Sequence, residues 1–466
     1  MLKLFLWLRY LRKKKIVFLS IAAVTVSVSL LIVVASLFTG FIHAFENTTV
    51  EALGDVVIEP PAVISNYDKL IENLEQTSQV ENATAVIGGY GLLLVGKGNV
   101  RAVQILGIEP QRRSKVTDFD KFLLSNKYSS AAEAKKAADS KEGDHGYVGI
   151  GLLTKPDDKT DEYNVEEAKK MLGERVTLTT GAMSSSSQGS SITDFNRQVL
   201  RFTISDIVET GFYQFDNDTI YLPIEQLSKV LFPNEKLPVA QQIQIRLAKD
   251  TDSQAALAVI RGVWQNFVRD YYNSSTALLN RTNIETSLDK QSIIIAAYKQ
   301  QMNVLLVIFG VVSLGVVILI FCIFSLIVRL KQKDIAVIKS CGTTSSSVAW
   351  IFVGFGACVG TVGSGIGTVL GFVITKNINT IEQWIRTIFG LKLWKSSVYL
   401  FTKIPNEVNW LEILFTIPIK LFRWQWTIKF RLYDIILFAI AAAAVGAVIP
   451  AIIAAMTKPV EILRYE

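Results

Sequence analysis

The 466-residue chain has little of what catalytic or disulfide-built proteins rely on. It holds three cysteines, Cys322, Cys341 and Cys358, all in or beside apolar runs. The long polar stretch therefore has no disulfide framework and must fold on its own hydrophobic core. The two histidines, His43 and His145, stand alone, and neither H-E-x-x-H nor G-x-S-x-G occurs. No metal site or hydrolase centre is expected. A G-x-x-x-x-G-K string does run from Gly91 to Lys97, but Gly98 stands where a Ser or Thr must hold magnesium. The flanks, "YGLLLVGKGNVRAVQILGI", read instead as two strands joined at Gly96–Asn99. No cofactor is expected in this chain, and any ATP and magnesium chemistry belongs to a partner.

Charge is also unevenly spread. The net is +7, yet Phe45 to Ala296 carries 26 basic and 34 acidic residues, and the remainder 22 and 7. The basic excess lies beside apolar runs, which argues against nucleic acid as a partner and for membrane orientation.

What the sequence has in plenty is long apolar runs. The first, Ile16 to Phe41, exceeds the ~20 residues that a spanning helix needs. It follows "MLKLFLWLRYLRKKK", basic and free of acid, and no small-x-small cleavage site closes it. A retained anchor with a cytoplasmic N-terminus is expected. Further runs cover 300–328, 348–375 and 435–456. The expected fold is a membrane α-helical protein with a large α+β periplasmic domain and four transmembrane helices in a 1+3 arrangement. Its parts are residues 1–44 (cytoplasmic start and first span), 45–299 (periplasmic domain), 300–328 (second span), 329–347 (cytoplasmic coupling helix), 348–375 (third span), 376–434 (periplasmic or interfacial loop), 435–456 (fourth span) and 457–466 (cytoplasmic tail).

The third loop goes against the charge rule, with Lys420, Arg423, Lys429 and Arg431. Only seven residues separate Glu412 from Lys420, too few for an extra crossing. An interfacial amphipathic segment is expected there, with Trp410, Trp424 and Trp426 at headgroup depth. In the polar domain, "NDTIYLPIEQLSKVL" reads as a strand and then a helix, and "QQIQIRLA" alternates with period two. A Ser-rich protrusion, residues 181–198, separates strand-like "RVTLTT" from "VLRFTISDI".

Between the second and third runs stands "KQKDIAVIKSCGTTSSSVAW", Lys331 to Trp350. A short charged helix joining two spans is a lever. Ile335, Val337 and Ile338 suit an apolar groove on a partner, and Lys331, Lys333, Asp334 and Lys339 suit charged register contacts. Gly342 ends that helix and "TTSSS" opens the next. The third run repeats small residues four apart, Gly356 with Gly360 and Gly363 with Gly367 and Gly371, a spacing that lets helices approach closely.

With these segments in view, the chain resembles the lipoprotein-releasing ABC permeases of the LolC/LolE family, within the MacB-type superfamily. "LRYLRKKKIVFLSIAAVTVSVSLLIVVASLFTGF", "VQILGIEP", "GFYQFDNDTIYLPIEQLSKVL", "DIAVIKSCGTTSSSVAWIF", "FGLKLWKSSVYLFTKIP" and "PAIIAAMTKPVEILRYE" carry the resemblance. The family's coupling-helix Glu is Asp334 here, and the residues around Lys420–Arg431 are additional. The resemblance implies a permease subunit that takes acylated lipoproteins from the outer leaflet and passes them to a periplasmic lipoprotein carrier. The partners it implies are a LolD-like ATPase and a second permease copy or paralogue. It implies ATPase coupling at Lys333, Asp334, Ile335, Ile338 and Gly342. It implies a lipoprotein cavity at Leu37, Phe38, Phe41, Ile42, Phe45, Met302, Leu305, Leu306 and Phe309. It implies carrier contact through Ser184, Gln188, Ile192, Phe195 and Arg197. The competing expectations are an efflux permease of the same superfamily and a non-transporting scaffold that relays ATPase motion to cell-wall hydrolases.

Overall fold

The computed structural model describes residues 15–96, 98–128, 131–132, 135, 144–157, 162–182, 196–391, 394–395, 399, 401, 403–406, 415–421, 424–430 and 432–456. The chain forms two compact units. The helical unit is Met1–His43, Ala296–Trp384 and Ile404–Glu466, and the sheet unit is Ala44–Ile295 and Ile385–Lys403.

The principal helices, in chain order, are α1 (Lys15–Leu53), α2 (Tyr67–Glu75), α3 (Pro110–Val116), α4 (Ile224–Leu231), α5 (Ser253–Tyr271), α6 (Ser292–Leu330), α7 (Gln332–Ser340), α8 (Ser345–Lys376), α9 (Ile378–Phe389) and α10 (Leu432–Met456). The strands are β1 (Val56–Glu59), β2 (Ile64–Ser65), β3 (Val80–Val95), β4 (Asn99–Ile108), β5 (His145–Gly149), β6 (Arg175–Ala182), β7 (Asn196–Val208), β8 (Thr219–Pro223), β9 (Val239–Ala240), β10 (Gln242–Leu247), β11 (Asn283–Thr286), β12 (Phe415–Leu421) and β13 (Trp424–Phe430).

Among the described residues, four helices are long and apolar enough to cross a membrane: Val17–Leu53, Ser292–Leu330, Ser345–Lys376 and Ile435–Met456. The first two outrun the apolar runs expected at 16–41 and 300–328. Hydropathy marks where lipid ends, but a helix stops only at a breaker. No Gly or Pro lies between Phe41 and Leu53, or between Asn283 and Phe309, so both helices continue. The seven glycines of α8 do not break it either. In hydrocarbon the intrahelical hydrogen bonds have no substitute, so the helix persists despite Gly's low propensity.

In the sheet unit, β3, β4, β8, β5, β7 and β6 pair in that order, and β6 returns to pair with β3, which closes a six-stranded ring. A wing of β10, β1 and β11 extends from the same β3. The 16-residue β3 serves both, its first half pairing with β10 at Val80–Val86 and its second half with β6 at Gly91–Leu94. The changeover falls at "GGYG", Gly88–Gly91. A Cβ on Gly91 would lie 2.7 Å from the Thr179 carbonyl oxygen, so only glycine lets the neighbouring backbone approach there. Gly91–Val95 of the G-x-x-x-x-G-K string is thus strand, and Gly96 and Gly98 take positive φ before β4, as a hairpin connection requires, while Lys97 lies outside the described residues.

The core lies between the sheet and α2, α4 and α5, and includes Leu70, Leu227, Trp264 and Phe267. Each of these helices turns an apolar stripe inward at three-to-four-residue spacing, for example Ile224, Leu227 and Leu231 of α4.

Candidate functional site

In the helical unit, the segment between α6 and α8 folds as the sequence predicts, into a short helix bounded by bends. Lys331 breaks α6 from α7, and its ammonium pairs with Asp334 in the first turn of α7. Gly342 adopts φ +89 and no neighbour would meet a Cβ there, so its role is conformational. The Thr344 hydroxyl then accepts from the Ser347 amide (3.4 Å) and caps α8. The Lys339 ammonium donates to the Ala455 carbonyl at 2.7 Å, which ties α7 to the end of α10.

The placement of the coupling residues departs from expectation at one point. Lys333 and Asp334 are exposed and Ile338 is half-buried. Ile335, however, is buried, with Ala336 beside it. It anchors α7 to its own unit and is not free to fill a partner's groove. Val337, 52% exposed, is the outward apolar side chain. Two residue steps at about 100° each set Ile335 and Val337 about 200° apart around the helix, so both cannot face one partner.

The glycines of α8 sort onto two faces. Gly356 and Gly360 meet α10, where added Cβ atoms would lie 2.6 Å from the Ala447 Cβ and 2.9 Å from the Ala443 Cβ. Gly363, Gly367 and Gly371 meet α1 at Val24, Val28 and Ile32, and a Cβ on Gly367 would lie 2.8 Å from the Thr25 carbonyl oxygen. The Thr25 hydroxyl donates to the Gly363 carbonyl across that contact (3.1 Å). Gly446 of α10 does the same against α6, 2.9 Å from the Val317 carbonyl oxygen. The small-xxx-small spacing is thus a packing code, with α8 as its hub.

The cavity residues divide. Phe41 of α1 meets Tyr298 of α6 edge-on at 4.8 Å, with Ile42 and Met302 buried nearby in sequence. Leu37, Phe38, Leu305 and Phe309 are half-buried on the same two helices, and the Leu306 side chain lies outside the described set. Phe45 belongs instead to the sheet unit, where it is buried against Phe212 (6.5 Å), itself in contact with Phe215 and Phe401. Tyr298 was not anticipated, because "AAYKQQM" gives no pairing signal. A crevice of ≈ 30 Å³ among α1, α6 and α10, lined by Ser27, Ser313 and Val317, has room for about two waters. Apolar side chains along α6, among them Val304, Val307, Val311 and Ile318, are largely uncovered.

Within the sheet unit the end of α1 is held by a set of close contacts. Gly54 leaves the helix at φ +76, and its amide donates to the Val50 carbonyl (2.8 Å). A Cβ there would lie 2.8 Å from the Ile245 carbonyl oxygen. The buried Arg113 guanidinium donates to the Ala52 carbonyl (3.2 Å) and to Gln244 Oε1 (3.1 Å), and lies 5.8 Å from the Phe119 and Tyr221 ring centres. Burial draws its pKa down from the ordinary arginine value. The Ser287 hydroxyl donates to the Gly54 carbonyl (2.5 Å) and its amide to the Asp55 carbonyl (3.0 Å). Ser287 lies five residues before α6, so one knot fastens both helix roots to β1 and β11.

Two further buried carboxylates belong to the frame. Asp216 accepts from the Thr210 amide (2.6 Å), the Thr210 hydroxyl (2.8 Å) and the Gly211 amide (2.9 Å), yet burial pushes its pKa up to about 7. Asp206, fully buried, is paired with Lys135 at 3.2 Å and bonded by Ser125. Burial also raises Glu109 and Tyr67, which share a hydrogen bond. Among the described residues no group of His, Cys, Asp and Glu has metal-binding geometry.

The sheet unit presents an apolar stripe. Tyr90 (79% exposed), Leu92 and Leu94 alternate along β3, with Val100 opposite Leu94 and Val199 two strands away through Thr179. Arg197 and Arg201 are exposed on the same strand as Val199. Of the carrier-contact residues, Arg197 is placed, while Ser184, Gln188, Ile192 and Phe195 lie outside the described residues.

Four helices long and apolar enough to span a membrane, with a sheet domain between the first and second and a charged elbow between the second and third, form the frame expected of an ABC permease subunit. Residues 17–263 match the family described as MacB-like periplasmic core domain, and residues 306–460 the FtsX-like permease C-terminal family. The chain belongs to the MacB-like ABC permeases. Within that family it is of the LolC/LolE type. It is 25% identical over 485 aligned residues to the lipoprotein-releasing system transmembrane protein LolC of Neisseria meningitidis serogroup B, covering 100% of this chain and 99% of that one. The LolC protein of Xylella fastidiosa (strain Temecula1) is 24% identical over 66% of each chain. The corresponding LolE protein of Haemophilus influenzae is 36% identical over 87 residues, 19% of this chain and 21% of that one.

Proposed function

We propose that this chain is the permease subunit of an ATP-driven transporter that lifts acylated lipoproteins from the outer leaflet of a bacterial inner membrane and passes them to a periplasmic carrier. Hydrolysis takes place in a separate LolD-like ATPase that docks on α7, and the permease works with a second copy or paralogue. The observation that carries this reading is the full-length likeness to a protein named as lipoprotein-releasing, joined to an α7 built as a crank. Both termini and α7 are cytoplasmic, and the sheet unit is periplasmic.

The physics suits such a cargo. Each CH₂ of an acyl chain is worth ~0.8 kcal/mol in the bilayer, so a lipoprotein does not leave without work. The uncovered apolar face of α6 gives its chains a route along protein, and covering by a second permease closes that route. The work arrives through Lys333, Asp334 and Val337 on the outward side of α7, which is held at both bends and at Ala455. The apolar stripe at Tyr90, Leu92 and Leu94 beside Arg197 is a docking face for the carrier.

Depletion of the chain followed by membrane fractionation tests the cargo. Triacylated lipoproteins should accumulate in the inner membrane, and a normal distribution would sink this reading. Asp334→Lys tests the motor: ATPase co-purification should be lost while the sheet unit stays folded.

A further inference from the structure

The additional segment between α9 and α10 pairs as an antiparallel hairpin, with Phe415 opposite Phe430, Ile417 opposite Ile428, Ile419 opposite Trp426 and Leu421 opposite Trp424. Directly opposed residues share a face, and the faces alternate along each strand. One face therefore carries those eight residues, all apolar. The other carries Thr416, Pro418, Lys420, Gln425, Thr427 and Lys429. From Phe415 to Tyr433 the sequence has four basic residues, Lys420, Arg423, Lys429 and Arg431, and no acidic one.

β12 and β13 form a sheet of their own, with no third strand among the described residues. An isolated two-stranded hairpin is marginal in water, so its apolar face requires a cover. β13 ends at Phe430 and the membrane helix α10 begins at Leu432. Two residues reach at most ~7 Å, so the hairpin sits at the mouth of a spanning segment, where the nearest large apolar cover is the bilayer. Its tryptophans and cations suit the headgroup layer, and each cation beside an anionic leaflet strengthens binding about fivefold.

We propose that this hairpin is an interfacial lipid-binding element. Its apolar face is sunk in the leaflet at the N-terminal end of α10, and its basic residues gather anionic phospholipid headgroups. The side of the membrane does not enter the argument, so the proposal stands or falls apart from the transport reading.

The test uses the full chain with Cys322, Cys341 and Cys358 replaced by serine, carrying one nitroxide at Ile419→Cys or Lys420→Cys. It is reconstituted in vesicles of phosphatidylcholine alone or with about one quarter phosphatidylglycerol, a fraction at which surface charge is felt within a Debye length. The readout is collision with oxygen, which enters lipid, against collision with a water-soluble nickel complex. The label at 419 should favour oxygen and the label at 420 the nickel complex, and phosphatidylglycerol should push the 419 label deeper. That deepening should vanish when Lys420, Arg423, Lys429 and Arg431 are all glutamine. Equal access of the nickel complex at both positions would overturn the proposal. So would protection of 419 from both reagents, which marks a protein cover, or depth indifferent to phosphatidylglycerol.

Discussion

The knot at the root of α1 yields the sharpest prediction, through Gly54→Ala. Two costs apply. A left-handed conformation costs a residue with a Cβ about 1–2 kcal/mol, and Gly54 sits at φ +76. The new Cβ also meets the Ile245 carbonyl oxygen at 2.8 Å and the Val116 Cγ1 at 3.1 Å. Backbone cannot swing aside as a flexible side chain can, and overpacking of this kind costs about 1–3 kcal/mol. Stiffening of the unfolded chain offsets about 0.4–1 kcal/mol. The net is ~2–4 kcal/mol, and a unit of this size loses about 2–4 °C of Tm per kcal/mol. A fall of about 5–15 °C is expected, read by proteolysis of the solubilised chain at rising temperature and scored on the sheet unit. Gly96→Ala is the matched control, because it has φ +64 and nothing within 4 Å of its Cβ. It bears only the conformational cost and should lose a few degrees at most. If the two variants melt together, close approach at Gly54 contributes nothing to the stability of the sheet unit.

Four other outcomes are expected. Gly360→Val should disrupt the contact of α8 with α10 and lower the yield of folded protein in detergent, while Gly365→Val, with nothing within 4 Å, should be tolerated. Val337→Asp should abolish ATPase co-purification without changing stability, whereas Ile335→Ala should lower thermal stability by about 2–5 kcal/mol equivalent because it empties a buried site. Asp216→Asn should destabilise by about 1–3 kcal/mol, since its amide turns a donor toward the Thr210 or Gly211 donors. The Asp216 carboxyl, raised to about 7, holds its proton more tightly folded than unfolded. Wild-type stability relative to Asp216→Asn should therefore fall as pH rises from about 4 towards 7, and a difference flat in pH would refute the assignment.

Much of this was legible in the sequence because the signals are local. Apolar runs mark spans, glycines four apart mark α8's contacts, and Gly96–Asn99 marks a turn. The ends of α1 and α6 were not, because lipid and helix stop for different reasons. The order of the ring was not, because β4 pairs with β8 more than a hundred residues on and nothing local encodes that partner. The inward turn of Ile335 and the meeting of Phe41 with Tyr298 depend on neighbouring helices. The hairpin at Phe415–Phe430 was legible in principle: "FTIPIKL" alternates with period two, but its tryptophans and charges drew the reading toward membrane depth and away from strand pairing.

The sharing of β3 has a mechanical consequence. There is no seam along which wing and ring can part, since one continuous backbone belongs to both. A pull delivered at β1 and β11, where the helix roots are fastened, loads β10, then β3, and through it the strands that bear Tyr90 and Arg197. Wing and ring are thus joined through continuous backbone, with no turn or loop between them.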